Sequence, residues 1–178
     1  MRIISGLYKG RRFTPPDGIP TRPTTDISKE GLFNILNNNI EYQETKFLDL
    51  FAGSGNISYE MASRGCTDIL AVDRFPLCVQ FIESVIEKLD IQGMQVMQAD
   101  VFDVIEKHKG QYDVIFAGPP YGLDILDEIP DRVFASNLSA PKGIFILEHN
   151  PNHNFDKHAM FAERRTYGHT NFSFFLND

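Results

Sequence analysis

Asp49-Leu-Phe-Ala-Gly-Ser-Gly55 follows directly on Lys46-Phe-Leu48 and leads into Asn56-Ile-Ser-Tyr-Glu-Met-Ala-Ser63. A short apolar run that breaks at Gly53 and Gly55 and resumes with helical spacing reads as strand, tight loop and helix. The predicted strand is Lys46 to Phe51 and the predicted helix is about Asn56 to Ser63. The two glycines let backbone approach a ligand at the helix start with no Cβ in the way. The next apolar run, Ile69 to Val72, ends on Asp73, about 20 residues beyond the loop, at the spacing that grips a ribose diol. Position 58 is Ser, where the dinucleotide fingerprint has its third glycine, so a ligand with an adenosine and no pyrophosphate fits better than NAD. Asp100, read as ending a third strand, then faces the adenine amino group, with Val101 against the ring; taken alone, Asp100 is a helix cap.

Outward from this core the chain alternates strands and helices. Asp26 is the expected N-cap of a helix running to about Asn38, with Leu32, Phe33, Leu36 and Ile40 on one face. Pro76 opens another helix, in which Leu77, Phe81, Val85 and Leu89 repeat every four residues, flanked by Cys78, Ile82 and Ile86. Further strands are expected at Gln95 to Gln98, Asp113 to Ala117 and Gly143 to Leu147. Ala159 to Thr166 and Thr170 to Leu176 flank a turn at Gly168 and read as an antiparallel hairpin closing the sheet. Strands alternating with helices predict an α/β fold with a doubly wound, mostly parallel sheet, whose ligands bind beyond the carboxyl ends of the strands.

Gly118-Pro-Pro-Tyr121 ends the fourth strand, across the switch point from the glycine loop. Pro119 and Pro120 fix the chain so that carbonyls point outward without competing N–H groups, and Tyr121 offers a flat face to a base. An exocyclic amine on a purine is a poor nucleophile. Carbonyl acceptors on its N–H bonds can orient its lone pair toward an electrophile.

The chain has 178 residues and 42% hydrophobic content, enough for one sizeable core. Cys66 and Cys78 are too few for a disulfide framework and read as buried thiols. No apolar run reaches the roughly 20 residues that span a bilayer, so a cytoplasmic protein with no membrane partner is expected. The histidines His108, His149, His153, His158 and His169 have no metal-ligand spacing and are assigned to surface or loop positions, with His149 to His158 a polar linker and no metal expected. The net charge of −7 conceals a basic start: Arg2, Lys9, Arg11, Arg12 and Arg22 stand against Asp17 within residues 1–25. Met1 to Phe13 reads as a small β-hairpin around Gly6 and Gly10, followed by a Pro-rich extended linker. The chain thus divides into an arm, 1–25, and a main domain, 26–178. Basic residues so placed can neutralise phosphates, or simply form a solvated face.

Taken together, these motifs resemble the RsmD family of 16S rRNA guanine-N2 methyltransferases. The resemblance is carried by Met1-Arg-Ile-Ile-Ser-Gly6 with Lys9-Gly-Arg-Arg12, by Thr21-Arg-Pro-Thr-Thr-Asp26 with Lys29-Glu-Gly-Leu-Phe-Asn-Ile-Leu36, by the glycine loop with Glu60 and Arg64-Gly65, and by Pro119-Pro-Tyr121 and Tyr167-Gly168 with Thr170. It implies a seven-stranded Rossmann-like methyltransferase sheet and S-adenosylmethionine as cofactor, held by Asp49, Ala52, Gly53, Ser54, Gly55, Asp73, Arg74, Asp100 and Val101. It further implies methyl transfer at Gly118, Pro119, Pro120 and Tyr121 to the 2-amino group of a guanine in 16S rRNA or a small-subunit particle. Arg2, Lys9, Arg11, Arg12 and Arg22 would grip the RNA backbone.

One departure matters. The family normally has Asp or Asn before Pro-Pro-Tyr, whereas this chain has Gly118, so one acceptor for the target amine is missing. Asp124 and Glu148 are both candidates to replace it. A module that binds cofactor and RNA without turnover is the alternative, and an adenine-N6 DNA methyltransferase uses a similar loop.

Overall fold

The computed structural model describes residues 1–178 except Thr21 and Pro23. Seven strands form one sheet in the order β3-β2-β1-β4-β5-β7-β6. They are β1 (Lys46–Leu50), β2 (Asp68–Asp73), β3 (Met94–Gln98), β4 (Tyr112–Ala117), β5 (Ser139–His149), β6 (Phe161–Tyr167) and β7 (Thr170–Leu176). The first five pair in parallel, and the β6–β7 hairpin joins antiparallel to β5 through β7. Helices α1 (Asp26–Leu36), α2 (Asn56–Ser63), α3 (Pro76–Leu89), α4 (Val101–Lys107) and α5 (Ile129–Ala135) cover it. This is the doubly wound α/β architecture that the strand-helix alternation predicts.

Alternation along each strand splits the core in two. Phe47, Ala71, Val114, Phe116 and Ile146 join Leu32, Phe33, Met61 and Ile82 of α1, α2 and α3 in one cluster. Leu48, Leu50, Val72, Ile115 and Leu147 join Val104, Ile129 and Val133 of α4 and α5 in the other. The chain order reverses between β1 and β4, so their carboxyl ends open into a crevice.

Several local expectations are corrected. Thr25, not Asp26, caps α1: its side chain accepts from Ser28 N, and the helix ends at Leu36. In α3 the buried stripe is Cys78, Val79, Ile82 and Val85, whereas Leu77 is 46% exposed; the four-residue repeat drifts off a face whose true period is 3.6. β1 stops at Leu50 because Phe51 turns the chain with a φ of 63°. Asp100 lies beyond the end of β3, as the N-cap of α4. His149 is fully buried on β5, its ring nitrogens bonded to Ser173 Oγ and Asn150 O, and Phe155 is buried too, so His149 to His158 is no polar linker. Both cysteines are buried and free.

The first residues form a hairpin-shaped turn with one antiparallel bridge, Arg2 to Arg12, and no strand. Ile3 and Phe13 sit in the core. What holds this segment is Glu60 of α2, a carboxylate with no exposed surface. Its oxygens accept from Ile4 N at 2.9 Å and Ser5 N at 3.0 Å and from the Arg64 side chain, and Lys29 Nζ stands 3.4 Å away. Lys29 is equally buried, and desolvation lowers its pKa, opposed by Glu60. A charge removed from this cluster leaves its partners uncompensated. Glu60→Ala is therefore expected to cost about 3–5 kcal/mol, measured by urea unfolding, and to expose the Ile4 and Ser5 amides to hydrogen exchange. Native-like protection of those amides would show that Ile3 and Phe13 in the core, with the hydrogen bonds to Ser63 and Lys29, hold the segment without Glu60.

Candidate functional site

The crevice beyond β1 and β4 deepens into a cavity of about 580 Å³, in the size range of a small-molecule site. Of the residues assigned to cofactor, Asp49, Ala52, Gly53, Ser54, Asp73, Arg74, Asp100 and Val101 line it, as do Gly118, Pro119, Pro120 and Tyr121. Gly55 stands behind the wall. Its φ is 80°, and a Cβ there would come 2.5 Å from the Tyr59 ring, so the tight turn into α2 requires glycine.

Three carboxylates stand near the carboxyl ends of β1, β2 and β3, with Asp100 just beyond its strand. Asp49 is 1% exposed and accepts from Ser58 Oγ at 2.6 Å. Burial, opposed by that bond, pushes its pKa up to about 7. Asp73 closes β2 and accepts from Gly53 N at 2.8 Å and Phe75 N at 2.9 Å, so the acid that tops the second strand also shapes the glycine loop. Asp100 accepts from Phe102 N at 2.9 Å; it is a helix cap and a cavity residue at once. Phe51, Phe75 and Phe102 add apolar wall between them. This donor set suits a cationic, adenosine-bearing molecule: an acid for positive charge, acids for hydroxyl and amino donors, and flat apolar surface for a base.

The opposite wall is the Gly118–Tyr121 loop. Gly118 N donates to Leu50 O at 3.2 Å, which fastens the loop to β1. Pro120 O takes the Leu123 N–H, while among the described residues no backbone N–H bonds the carbonyls of Gly118 or Pro119. The Tyr121 hydroxyl donates to Glu148 Oε1 at 3.0 Å, and Arg22 lies 5.1 Å from the centre of its ring. Burial beside Glu148 raises the Tyr121 pKa to about 12, so the phenol keeps its proton.

Glu148, a candidate from the sequence for the acceptor missing at 118, lines the cavity, and so does Thr24, for which the sequence predicts no site role. Thr24 Oγ1 donates to Glu148 Oε2 at 2.6 Å, a pairing across 124 positions that no local pattern reveals. Asp124 is exposed and stands outside the cavity lining.

The basic residues do not gather at one place. Arg22 is at the cavity, Arg2 pairs with Asp26 at 3.2 Å, and Lys9 is exposed. Arg11 and Arg12 line a separate groove of about 310 Å³ with Phe13 and with Lys88 at the end of α3. Lys88 was not legible as a member of this group, because it follows Arg12 by 76 positions in the chain. Among the described residues no cluster of three or more His, Cys, Asp or Glu could hold a metal ion, and no helix is long and apolar enough to cross a membrane.

Comparison with known proteins agrees with this fold. The sequence model of the family described as Conserved hypothetical protein 95 matches residues 1–176. Ribosomal RNA small subunit methyltransferase D of Escherichia coli is 29% identical over 83% of this chain and 74% of its own length. Among solved structures, a hypothetical protein of Thermus thermophilus superposes with a TM-score of 0.86 at 26% identity, covering 98% of both chains. A 16S rRNA N2 G1207 methyltransferase of T. thermophilus, solved with AdoMet and guanosine, shares the fold with a TM-score of 0.73 at 20% identity, over 90% of this chain and 46% of its own. The chain belongs to the Conserved hypothetical protein 95 family, the RsmD family of methyltransferases.

Proposed function

We propose that this chain transfers a methyl group from S-adenosylmethionine to the 2-amino group of a guanine in 16S rRNA. The observation that carries the reading is the cavity itself, one lining shared by the Asp49, Asp73 and Asp100 series and the Gly118–Tyr121 loop. When bound, the cofactor supplies an electrophilic methyl on a cationic sulfur. Asp49 would face its positive end, Asp73 the ribose hydroxyls and Asp100 the adenine amino group. On the other wall the Gly118 and Pro119 carbonyls would accept from the target amine while Tyr121 lies along the base, aiming the nitrogen lone pair. The small-subunit rRNA methyltransferases among the relatives support the substrate class, and an rRNA substrate implies a cytoplasmic reaction. The binding-module alternative rests on Gly118. Methyl transfer to rRNA or small-subunit particles lacking the modification separates the two: incorporation at guanine N2 supports the enzyme, and cofactor and RNA binding without incorporation rejects it.

Cofactor affinity should report the acids. Asp73→Ala is expected to weaken S-adenosylhomocysteine binding by tenfold or more in calorimetric titration, since a bound hydroxyl loses its acceptor and the glycine loop its tether. Unchanged affinity, or tighter binding of NAD, would remove Asp73 from the assignment.

Asp49 makes a pH-dependent prediction. Its folded pKa of about 7 lies above the ordinary carboxylate value, so the folded state favours the proton and loses stability as pH rises from about 4 to 7. Without cofactor, Asp49→Asn should melt above wild type at pH 8, by an amount on the order of 1–3 kcal/mol, and the difference should vanish near pH 4. S-adenosylmethionine should bind wild type more tightly as pH rises through about 7, and the variant should lose that slope. A parallel slope in both proteins would mean that Asp49 does not meet the positive charge.

The groove beside the first residues offers a third test. Replacing Arg11, Arg12 and Lys88 with alanine should reduce RNA affinity and flatten its salt dependence by about 0.7–0.9 in log–log slope for each phosphate no longer neutralised. Cofactor affinity should stay constant. An unaltered salt slope would make the groove a solvated face.

A further inference from the structure

We propose that Glu148 supplies, from the neighbouring strand, the carboxylate acceptor for the target amine that position 118 lacks. The inference rests on the methyltransferase reading above. The β4–β5 register pairs Ala117 with Leu147, so the next positions, 118 and 148, come side by side at the carboxyl edge of the sheet. Side chains alternate across it: Phe116 and Ile146 share one core face and Ala117 and Leu147 the other. A side chain at 118 would therefore project on the face that Glu148 occupies. A Cβ built on Gly118 stands 3.9 Å from Glu148 Oε2 and 3.1 Å from a Phe116 ring carbon. The carboxylate oxygen is thus already beside the space that an acidic side chain at 118 would enter, and the Phe116 ring crowds that position.

The state of Glu148 suits the task. Thr24 Oγ1 donates to Oε2 and the Tyr121 hydroxyl to Oε1, which fixes the carboxylate while leaving each oxygen a second acceptor site. The other acids of the cavity are engaged at the far wall: Asp49 with Ser58, Asp73 with Gly53 and Phe75, Asp100 with Phe102. In the step, an N2–H of guanine donates to a Glu148 oxygen, and the nitrogen lone pair forms the N–C bond as the S–CH3 bond breaks. The sulfonium becomes a neutral thioether, and the N2 proton passes to the Glu148 carboxylate and from there to solvent. Burial, partly offset by the Thr24 and Tyr121 hydroxyls and by Arg22, raises the pKa of Glu148, which favours accepting that proton.

The test is single-turnover methyl transfer to unmodified small-subunit rRNA or particles at saturating S-adenosylmethionine, with S-adenosylhomocysteine affinity and melting temperature measured on each variant. Glu148→Gln should lose on the order of a hundredfold in rate, with cofactor affinity and melting temperature close to wild type. Gly118→Asp placed in the Glu148→Gln background should recover part of the rate, since it returns a carboxylate to the same space from the other strand. A purely structural glutamate would show no such rescue. Wild-type rate in Glu148→Gln, loss of rate matched by loss of cofactor binding or stability, or failure of Gly118→Asp to recover any rate in a folded double variant would overturn the proposal. Absence of transfer by wild type itself would overturn the methyltransferase reading, a result seen before any variant is made.

Discussion

The cation at Lys29 Nζ has no exposed surface, and the hydrogen bonds that make it tolerable reach all the way to the functional site. Lys29 donates to Arg2 O and to Asn56 Oδ1 and pairs with Glu60. Asn56, thereby fixed as an acceptor on one side, uses its amide to donate to Thr24 O at 3.1 Å. Thr24 in turn donates to Glu148, and Glu148 holds Tyr121. One continuous network thus runs from the docked N-terminal segment, through α1 and the start of α2, to the loop after β4. In a low-dielectric interior each member is costly to leave unpaired, so the network enforces a single arrangement of elements that are far apart in the chain. At the start of α1 its consequences are local: Thr25 caps the helix, Thr24 and Arg22 line the cavity, and Asp26 meets Arg2.

The electrostatics of the cavity oppose the stability of the empty fold. Asp49 lies in the interior with a single side-chain donor, and both Asp73 and Glu148 push against its negative charge. An interior acid so poorly compensated lowers folding stability at neutral pH. Its retention is understandable if a bound cation completes the site, because the same low dielectric that penalises the lone carboxylate strengthens its attraction to positive charge. The asymmetry of the two walls follows. The wall made by the ends of β1, β2 and β3 holds three acids, whereas the loop after β4 presents carbonyls and an aromatic face, with Arg22 over that face and a single acid, Glu148, beside it.

What could be read from the sequence was local. Strand, loop and helix at Lys46 to Ser63 are legible because a short apolar run gives way to helical spacing across two glycines, and Pro76 marks a helix start because its missing N–H costs nothing there. Asp73 is legible from its distance to the glycine loop alone. The failures concern choices between neighbours or partners remote in the chain. Thr25 and Asp26 are both good caps; in the fold Thr25 accepts from Ser28 N, and Asp26 lies against Arg2 instead. His149 reads as polar, yet Ser173 on β7 satisfies it in the core. Lys88 joins Arg11 and Arg12 only because the first residues pack back against the sheet-covering helices.

Glu148 shows why position in a sheet can matter more than position in a motif. A ligand beyond the carboxyl ends of parallel strands meets the sheet edge as a row of chain ends, and adjacent rows stand about 4.8 Å apart. A carboxylate moved from the end of β4 to the matching register of β5, on the same face and with one more methylene, reaches nearly the same point in space. The exchange has a steric counterpart. Phe116 fills the room beside Gly118, so with that ring in place glycine and glutamate are mutually consistent at 118 and 148, and an acid at 118 would require the ring to move. Because Thr24 and Tyr121 bind both oxygens of Glu148, the longer side chain gains the orientation that its extra torsion would otherwise lose. The loop after β4 carries no acid at 118, yet an acid stands beside it on β5.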